Sequence, residues 1–256
     1  MIKVGVLGAK GRMGSLVCQT VKAAENLELA AAVDVGDARD ALQGCDVVVD
    51  FTSPAAVMDN LRWCVGAGLA MVIGTSGFDG ARLAAAADIV DSAAQTATEA
   101  QAAKARVLVV PNFSIGAVLM MKFAEQAARF FESAEIIELH HAGKVDAPSG
   151  TSARTAAMIA AARSAAGVRP GPDATATQLE GARGAVVDGV HVHSVRLAGL
   201  VAHQEVLLGG YGETLTIRHD SLDRASFMPG VLIAVRGIGS LPPGLTVGLD
   251  GLLGLD

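Results

Sequence analysis

Two histidines, a lysine and a run of small hydroxyl residues stand together in HHAGKVDAPSGTSA, residues 140–153. The imidazoles of His140 and His141 are of the kind that titrates near neutrality, and Lys144 adds a positive charge a few residues on. Ser149, Gly150 and Thr151 precede the helical pattern TSARTAAMIAAAR. Ser149 or Thr151 suits its N-cap, and free backbone N–H groups at a glycine-bearing helix start suit a carboxylate. Together they offer an anion cradle, a cation and two proton carriers. A reduction needs such a set when hydride reaches one atom of a polarised C=N or C=O bond while a proton is delivered beside it. The alternative is an ordinary polar turn with its histidines satisfied at a strand edge. Two histidines, a lysine and a Gly-Thr helix start within twelve residues favour the chemistry.

The elements around this segment must place those groups. AEIIELHH alternates as a strand, with Ile136, Glu138 and His140 on one side and Ile137, Leu139 and His141 on the other. Both histidines face one ligand only if the strand ends there, and Gly143 permits that ending. A long amphipathic helix, GAVLMMKFAEQAARFF, comes before it.

A hydride donor needs its own seat, and the N-terminal half supplies the pattern for one. The β-rich run Ile2 to Leu7 leads into Gly8, Gly11 and Gly14, then into the helix-like SLVCQTVKAAE. Glycines so placed allow a sharp turn, close approach to a pyrophosphate and tight packing of helix on strand. The spacing alone is weak in a chain with 30 glycines. Its context strengthens it, because a second strand, LELAAAVD, ends in Asp34, where a carboxylate suits the adenosine ribose hydroxyls. Asp34 repels a ribose 2′-phosphate and so favours NADH. Lys10 and Arg12 in the turn offset that charge, so the expected cofactor is NADH or NADPH.

Further apolar runs, DVVVDF (46–51), AMVIGTSG (70–77) and RVLVVPNFS (106–114), read as strands buried on both faces and separated by helices. The fold class is therefore α/β, a doubly wound parallel sheet whose ligands bind at the carboxyl ends of the strands. Those ends carry Phe51, Thr52, Gly74, Thr75, Ser76, Asn112 and Phe113 as candidates for a wall around the nicotinamide. The alanine-rich residues 84–105 read as one or two surface helices.

Composition excludes other classes. At 256 residues, 51% hydrophobic and 18% charged, the chain folds around a sizeable core, and no apolar run approaches the roughly 20 residues of a membrane span. A net charge of −6 with scattered Lys and Arg gives no footprint for nucleic acid. MIKVGVLGAK lacks the pattern of a secretory signal, so a cytoplasmic protein is expected. Cys18, Cys45 and Cys64 are widely spaced and read as buried thiols. His191 and His193 share one strand face, a spacing that could hold a metal, but no carboxylate or cysteine follows at ligand spacing and none is expected.

HHAGKVDAPSGTSA, with VGVLGAKGRMG, GTSGF, VPNFSIG and HVHSVRLAGLVAHQEVLLGGYGETLTIRHDSLDRASF, resembles 4-hydroxy-tetrahydrodipicolinate (dihydrodipicolinate) reductases of bacterial lysine and diaminopimelate synthesis, actinobacterial forms above all. The resemblance implies a Rossmann domain (1–113) and a smaller α+β domain with an open mixed sheet (114–220) that builds a homotetramer. A C-terminal segment (221–256) then returns to the first domain. It implies a cyclic dicarboxylate substrate reduced with NADH or NADPH, His140 as acid/base residue and Lys144 as proton donor. His141, Lys144, Gly150 and Thr151 would hold the carboxylates. Gly8, Ala9, Lys10, Gly11, Arg12, Met13, Asp34, Gly74, Thr75, Ser76, Val110, Pro111, Asn112 and Phe113 would line the cofactor. Two positions depart from the family pattern: Ser76 replaces the second threonine of GTTG, and Gly143 replaces the third histidine of HHxHK.

The strands near 190–219 have short connections, as antiparallel neighbours do, and are expected to form the open sheet with one face available for subunit contact. A competing enzyme reading is another two-domain Rossmann dehydrogenase, such as a semialdehyde or homoserine enzyme. A semialdehyde enzyme would need a nucleophilic cysteine in its second domain, where this chain has none, which counts against it. A nucleotide-sensing protein without chemistry is the remaining alternative.

Overall fold

The computed structural model describes residues 1–96 and 105–255, and the chain divides into two compact units. The first comprises Met1–Phe113 and Phe227–Asp256, the second Ser114–Ser226.

In the first unit, β1 (Ile2–Leu7), β2 (Leu27–Val33), β3 (Val47–Asp50), β4 (Ala70–Ile73), β5 (Arg106–Val109) and β11 (Gly244–Val247) form a sheet in the order β11-β5-β4-β3-β1-β2. Every pairing in it is parallel. Because side chains alternate, Val47 and Val49 face one core while Val48 faces another. α1 (Arg12–Ala23) and α6 (Met228–Gly237) cover the first face; α2 (Val57–Gly66) and α3 (Gly80–Thr96) cover the second. Full burial of each such aliphatic side chain contributes about 1.5–3 kcal/mol. That explains why β3 and β4 read as unbroken apolar runs. Residues 97–104, part of the stretch expected to be surface helix, lie outside the described residues.

The second unit holds α4 (Ile115–Ala128), β6 (Ser133–His140), α5 (Gly150–Ala165), β7 (Ala185–Val187), β8 (Val190–Arg196), β9 (Ala202–Gly210) and β10 (Glu213–Ser221). Its mixed sheet runs β10-β9-β6-β8-β7. β9 and β10 are antiparallel neighbours as expected, but β8 and β9 are not. β6 lies between them, parallel to β8 and antiparallel to β9. The short β8–β9 connection therefore spans one strand. Ala124, Ala128, Ala156 and Ile159 of α4 and α5 pack on Ile136, Val192, Val206 and Leu208 of one sheet face. Ile137, Leu139, Val195 and Leu207 lie on the other face, half-buried. A last helical turn, α7 (Asp250–Leu253), belongs to the first unit.

Cys45 and Cys64 are buried and Cys18 half-buried; burial pushes the Cys64 thiol up to about 12. Among the described residues no helix is long and apolar enough to cross a membrane.

Candidate active site

In the first unit the glycine turn packs backbone on backbone. Gly8 has φ +77°, and a Cβ there would press on the carbonyl oxygen of Phe51. Gly8 and Ala9 donate to Val33 O at 2.9 and 3.1 Å, and Gly11 donates to Gly8 O at 3.0 Å. Gly11 is the N-cap of α1 and brings no side chain to satisfy the first-turn N–H groups, so that end suits a phosphate. Arg12 is exposed at the helix start and Met13 half-buried behind it.

Asp34, at the end of β2, closes one side of this turn. Its carboxylate accepts from Lys10 N at 2.6 Å and Val35 N at 2.8 Å, and these N–H groups, Lys10's first, hold it below the usual carboxylate range. Lys10 Nζ sits 3.8 Å from Asp37. Gly8, Gly11, Asp34, Phe51 and Thr52 line one cleft.

The ends of β4 and β5 complete the same edge. The rings of Phe51 and Phe113, 5.4 Å between centroids, close over Gly74, where any Cβ would strike both. Val110 is tied to Ile73 O at 2.9 Å; Thr75 is buried, while Ser76 and Pro111 are exposed and Asn112 is half-buried. Sequence reasoning missed the group that holds this edge. Asp50 is fully buried and accepts from Thr52 Oγ1 at 2.8 Å, Thr75 Oγ1 at 2.6 Å and Asn60 Nδ2 at 2.8 Å. Its acceptor capacity is met by neutral donors, which joins the loops after β3 and β4.

In the second unit β6 ends at His140, and the chain then turns, with Lys144 N donating to His141 O at 3.1 Å. His141 is exposed, and open space at Gly143 brings a built Cβ no nearer than 3.4 Å to its ring. Ser149 is the N-cap of α5: its Oγ accepts from Ser152 N at 3.1 Å. Gly150 and Thr151 form the first turn. Lys144 Nζ pairs with Asp146 at 2.6 Å.

Behind His140 lies Glu138, fully buried and bonded to the imidazole Nδ1 and to both ends of the Arg196 guanidinium. Burial opposes its charge, but hydrogen bonds from Arg196, Ser194 and His140 outweigh this and hold the carboxyl below its usual range. Burial likewise pushes His140 below the ordinary imidazole value. Glu138 pulls the other way, and Lys144 and Arg196 add to the depression. Glu138, Arg196 and Asp146 were not singled out from sequence; Glu138 was placed on the His140 face, and that alternation was the available signal.

The other histidines have structural partners. His193 meets Glu135 at 2.7 Å, and His191 meets the Arg183 carbonyl at 2.6 Å. His203 pairs with Asp220 at 2.7 Å, and His219 lies 3.0 Å from Ser114 Oγ.

The sequence pattern described as dihydrodipicolinate reductase, N-terminus, matches residues 2–113, and that described as dihydrodipicolinate reductase, C-terminus, matches residues 116–253. The chain belongs to the dihydrodipicolinate reductase family. Relatives named 4-hydroxy-tetrahydrodipicolinate reductase include one from Cutibacterium acnes, 63% identical over the whole of both chains. Another, from Nocardia farcinica, is 62% identical over 99% of both. A dipicolinate-bound dihydrodipicolinate reductase structure from Paenisporosarcina sp. TG-14 is 38% identical, with a TM-score of 0.81 over 98% of this chain and 99% of that one. Members of this family are oxidoreductases built on a nicotinamide-binding Rossmann domain, and the glycine turn described above is shaped for that cofactor.

Two depressed imidazoles make the reductase fold acid-sensitive. Burial lowers His219, Asp220 pulling upward and His203 adding to the shift, and burial lowers His140 as above. Below the ordinary imidazole value of about 6.5, the unfolded chain binds protons that the folded chain does not yet accept. Stability therefore falls as pH drops through that window. Urea midpoints from pH 7.5 to 5.5 will decline, and His219→Asn will flatten the decline; a slope unchanged by that substitution counts against it.

Proposed function

We propose that the chain reduces 4-hydroxy-tetrahydrodipicolinate to tetrahydrodipicolinate, on the route to diaminopimelate and lysine, with NADH or NADPH as donor. The bound reduced nicotinamide supplies the hydride. Gly8 to Met13 hold the pyrophosphate, Asp34 the adenosine ribose, and Gly74 to Ser76 with Val110 to Phe113 border the nicotinamide. Lys10 and Arg12 balance Asp34, which supports use of both donors.

His141, Lys144 and the N–H groups of Gly150 and Thr151 bind the substrate carboxylates. Substrate and product differ by one oxygen, so one hydride and one proton enter and one water leaves. Lys144 delivers the proton, and His140 serves as the acid/base partner beside it. The observation that carries this assignment is the Ser149-capped start of α5, which lies in one turn of chain with His140 and the Lys144–Asp146 pair. Mixing the protein with enzymatically made substrate and each donor, and following the loss of reduced-nicotinamide absorbance, tests the reading. No oxidation above background rejects it.

A Cβ at Gly150 would meet nothing within 4 Å, so the fold itself does not require glycine there. Gly150→Ala should stabilise the helix by about 0.5–1 kcal/mol yet raise the substrate KM roughly tenfold, because the methyl occupies the carboxylate's place. Thermal melts and initial rates check the two halves separately.

The half-buried aliphatic side chains of Ile137, Leu139, Val195 and Leu207, set among polar neighbours such as His193 and Glu205 on the helix-free face of the second sheet, support assembly as a homotetramer through that face. A solution mass measurement decides it.

A further inference from the structure

We infer that Glu138 is a positioning residue: it fixes which nitrogen of His140 faces the substrate and couples that imidazole to the loop carrying Lys144. The inference rests on the reductase reading above. Glu138 has no exposed surface, and it spends every contact on this corner of the second unit. One oxygen meets His140 Nδ1 and Arg196 Nη1, the latter at 2.9 Å; the other meets Arg196 Nη2 at 2.7 Å and Ser149 N at 3.3 Å. Arg196 Nη2 also donates to the Asp146 carbonyl at 2.6 Å, and the Asp146 carboxylate holds Lys144 at 2.6 Å. A single network thus runs from the imidazole through the Glu138–Arg196 pair to the ammonium. It also touches the N-cap residue of α5.

The chemistry of the contact sets the tautomer. An ionised carboxylate only accepts, so the Nδ1 that meets Glu138 carries a proton and the neutral ring keeps its lone pair on Nε2. A carboxylate behind an imidazole also stabilises the charged ring that proton exchange creates. The charged groups near His140 are Glu138 on its own strand, Arg196 on β8, and Lys144 and Asp146 on the loop. Take away the Glu138 charge, and burial, Lys144 and Arg196 all act against the imidazolium. A carboxylate wholly out of water is costly unless fully paired. A role in stability alone would not need that carboxylate to meet the imidazole.

Nitrogen-15 NMR of the wild-type protein reads the tautomer without any substitution. Above its titration, neutral His140 is expected to be protonated at Nδ1; protonation at Nε2 overturns the inference. Glu138→Gln keeps the shape and removes the charge. It is expected to lower kcat roughly 10- to 100-fold with the NADH Kd unchanged, and to move the His140 titration to lower pH. A variant that loses stability but keeps the wild-type kcat and His140 titration shows a structural role only, and refutes positioning. Should Glu138→Gln fail to fold, the wild-type tautomer still decides. Should the wild type reduce no substrate at all, the reductase reading fails, while tautomer and titration report on Glu138 independently.

Discussion

Lys144→Ala is expected to lower turnover about 100- to 10,000-fold, the usual worth of a positioned proton donor, while the NADH dissociation constant and the urea midpoint stay near wild type. Lys144 lies in the second unit and every residue proposed for the cofactor lies in the first, so donor binding is not touched. Stability is spared because the lost partner, Asp146, is exposed and its freed carboxylate returns to water; ion pairs of this kind are worth about 0–1 kcal/mol. Two effects must then be separated, since alanine removes both a charge that binds the substrate dianion and a proton that completes the reduction. Lys144→Arg restores the charge but not the chemistry, because a guanidinium does not release its proton in a protein. The expected pattern is KM recovered and kcat still depressed. Single-turnover rates with pre-bound NADH check it, and a wild-type kcat in either variant removes Lys144 from the proton-delivery role.

The fold was legible where burial repeats a simple pattern, and illegible where partners are far apart. β3 and β4 show themselves as apolar runs because both faces of the first sheet are covered. β7 and β11 escaped notice for the converse reason. Ala185–Val187 is a three-residue edge strand, and Gly244–Val247 sits between turn-like glycines and gains its identity only from pairing with β5. The order of the second sheet misled in the same way: β8 and β9 follow closely in sequence, yet β6 separates them. In the site, His140, Lys144 and Ser149 share one short segment, and local spacing was enough to single them out. Glu138 and Asp50 were not, although both are acidic residues with no exposed surface. What gives each its role is a distant partner, Arg196 for the one and Thr75 for the other, and no local period encodes those contacts.

Gly14→Ala poses the opposite problem to Lys144, a change of one methyl that strikes the scaffold of the cofactor site. Alanine at a helical position is favoured over glycine by about 1 kcal/mol from propensity alone, so a reading of α1 by itself predicts stabilisation. The packing reverses the sign. A Cβ on Gly14 would overlap the carbonyl oxygen of Gly8 and crowd Ala9 Cα, and both are backbone atoms with no rotamer to yield. Relief requires α1 to lift from the turn, which breaks the Gly11 N–H to Gly8 O bond that shapes it. Overpacking of this kind costs about 1–3 kcal/mol and outweighs the propensity gain. The expected result is a lower urea midpoint and an NADH dissociation constant raised about 100-fold, since displacement by a fraction of an ångström spoils the aim of several N–H groups at once. Gly66, the last residue of α2, is the matched control. It is exposed with nothing within 4 Å of a built Cβ, so Gly66→Ala should leave NADH binding alone and raise stability by about 0.5–1 kcal/mol. Equal behaviour of the two variants in denaturant and NADH titrations would show that propensity, not the contact between Gly14 and Gly8, governs the turn.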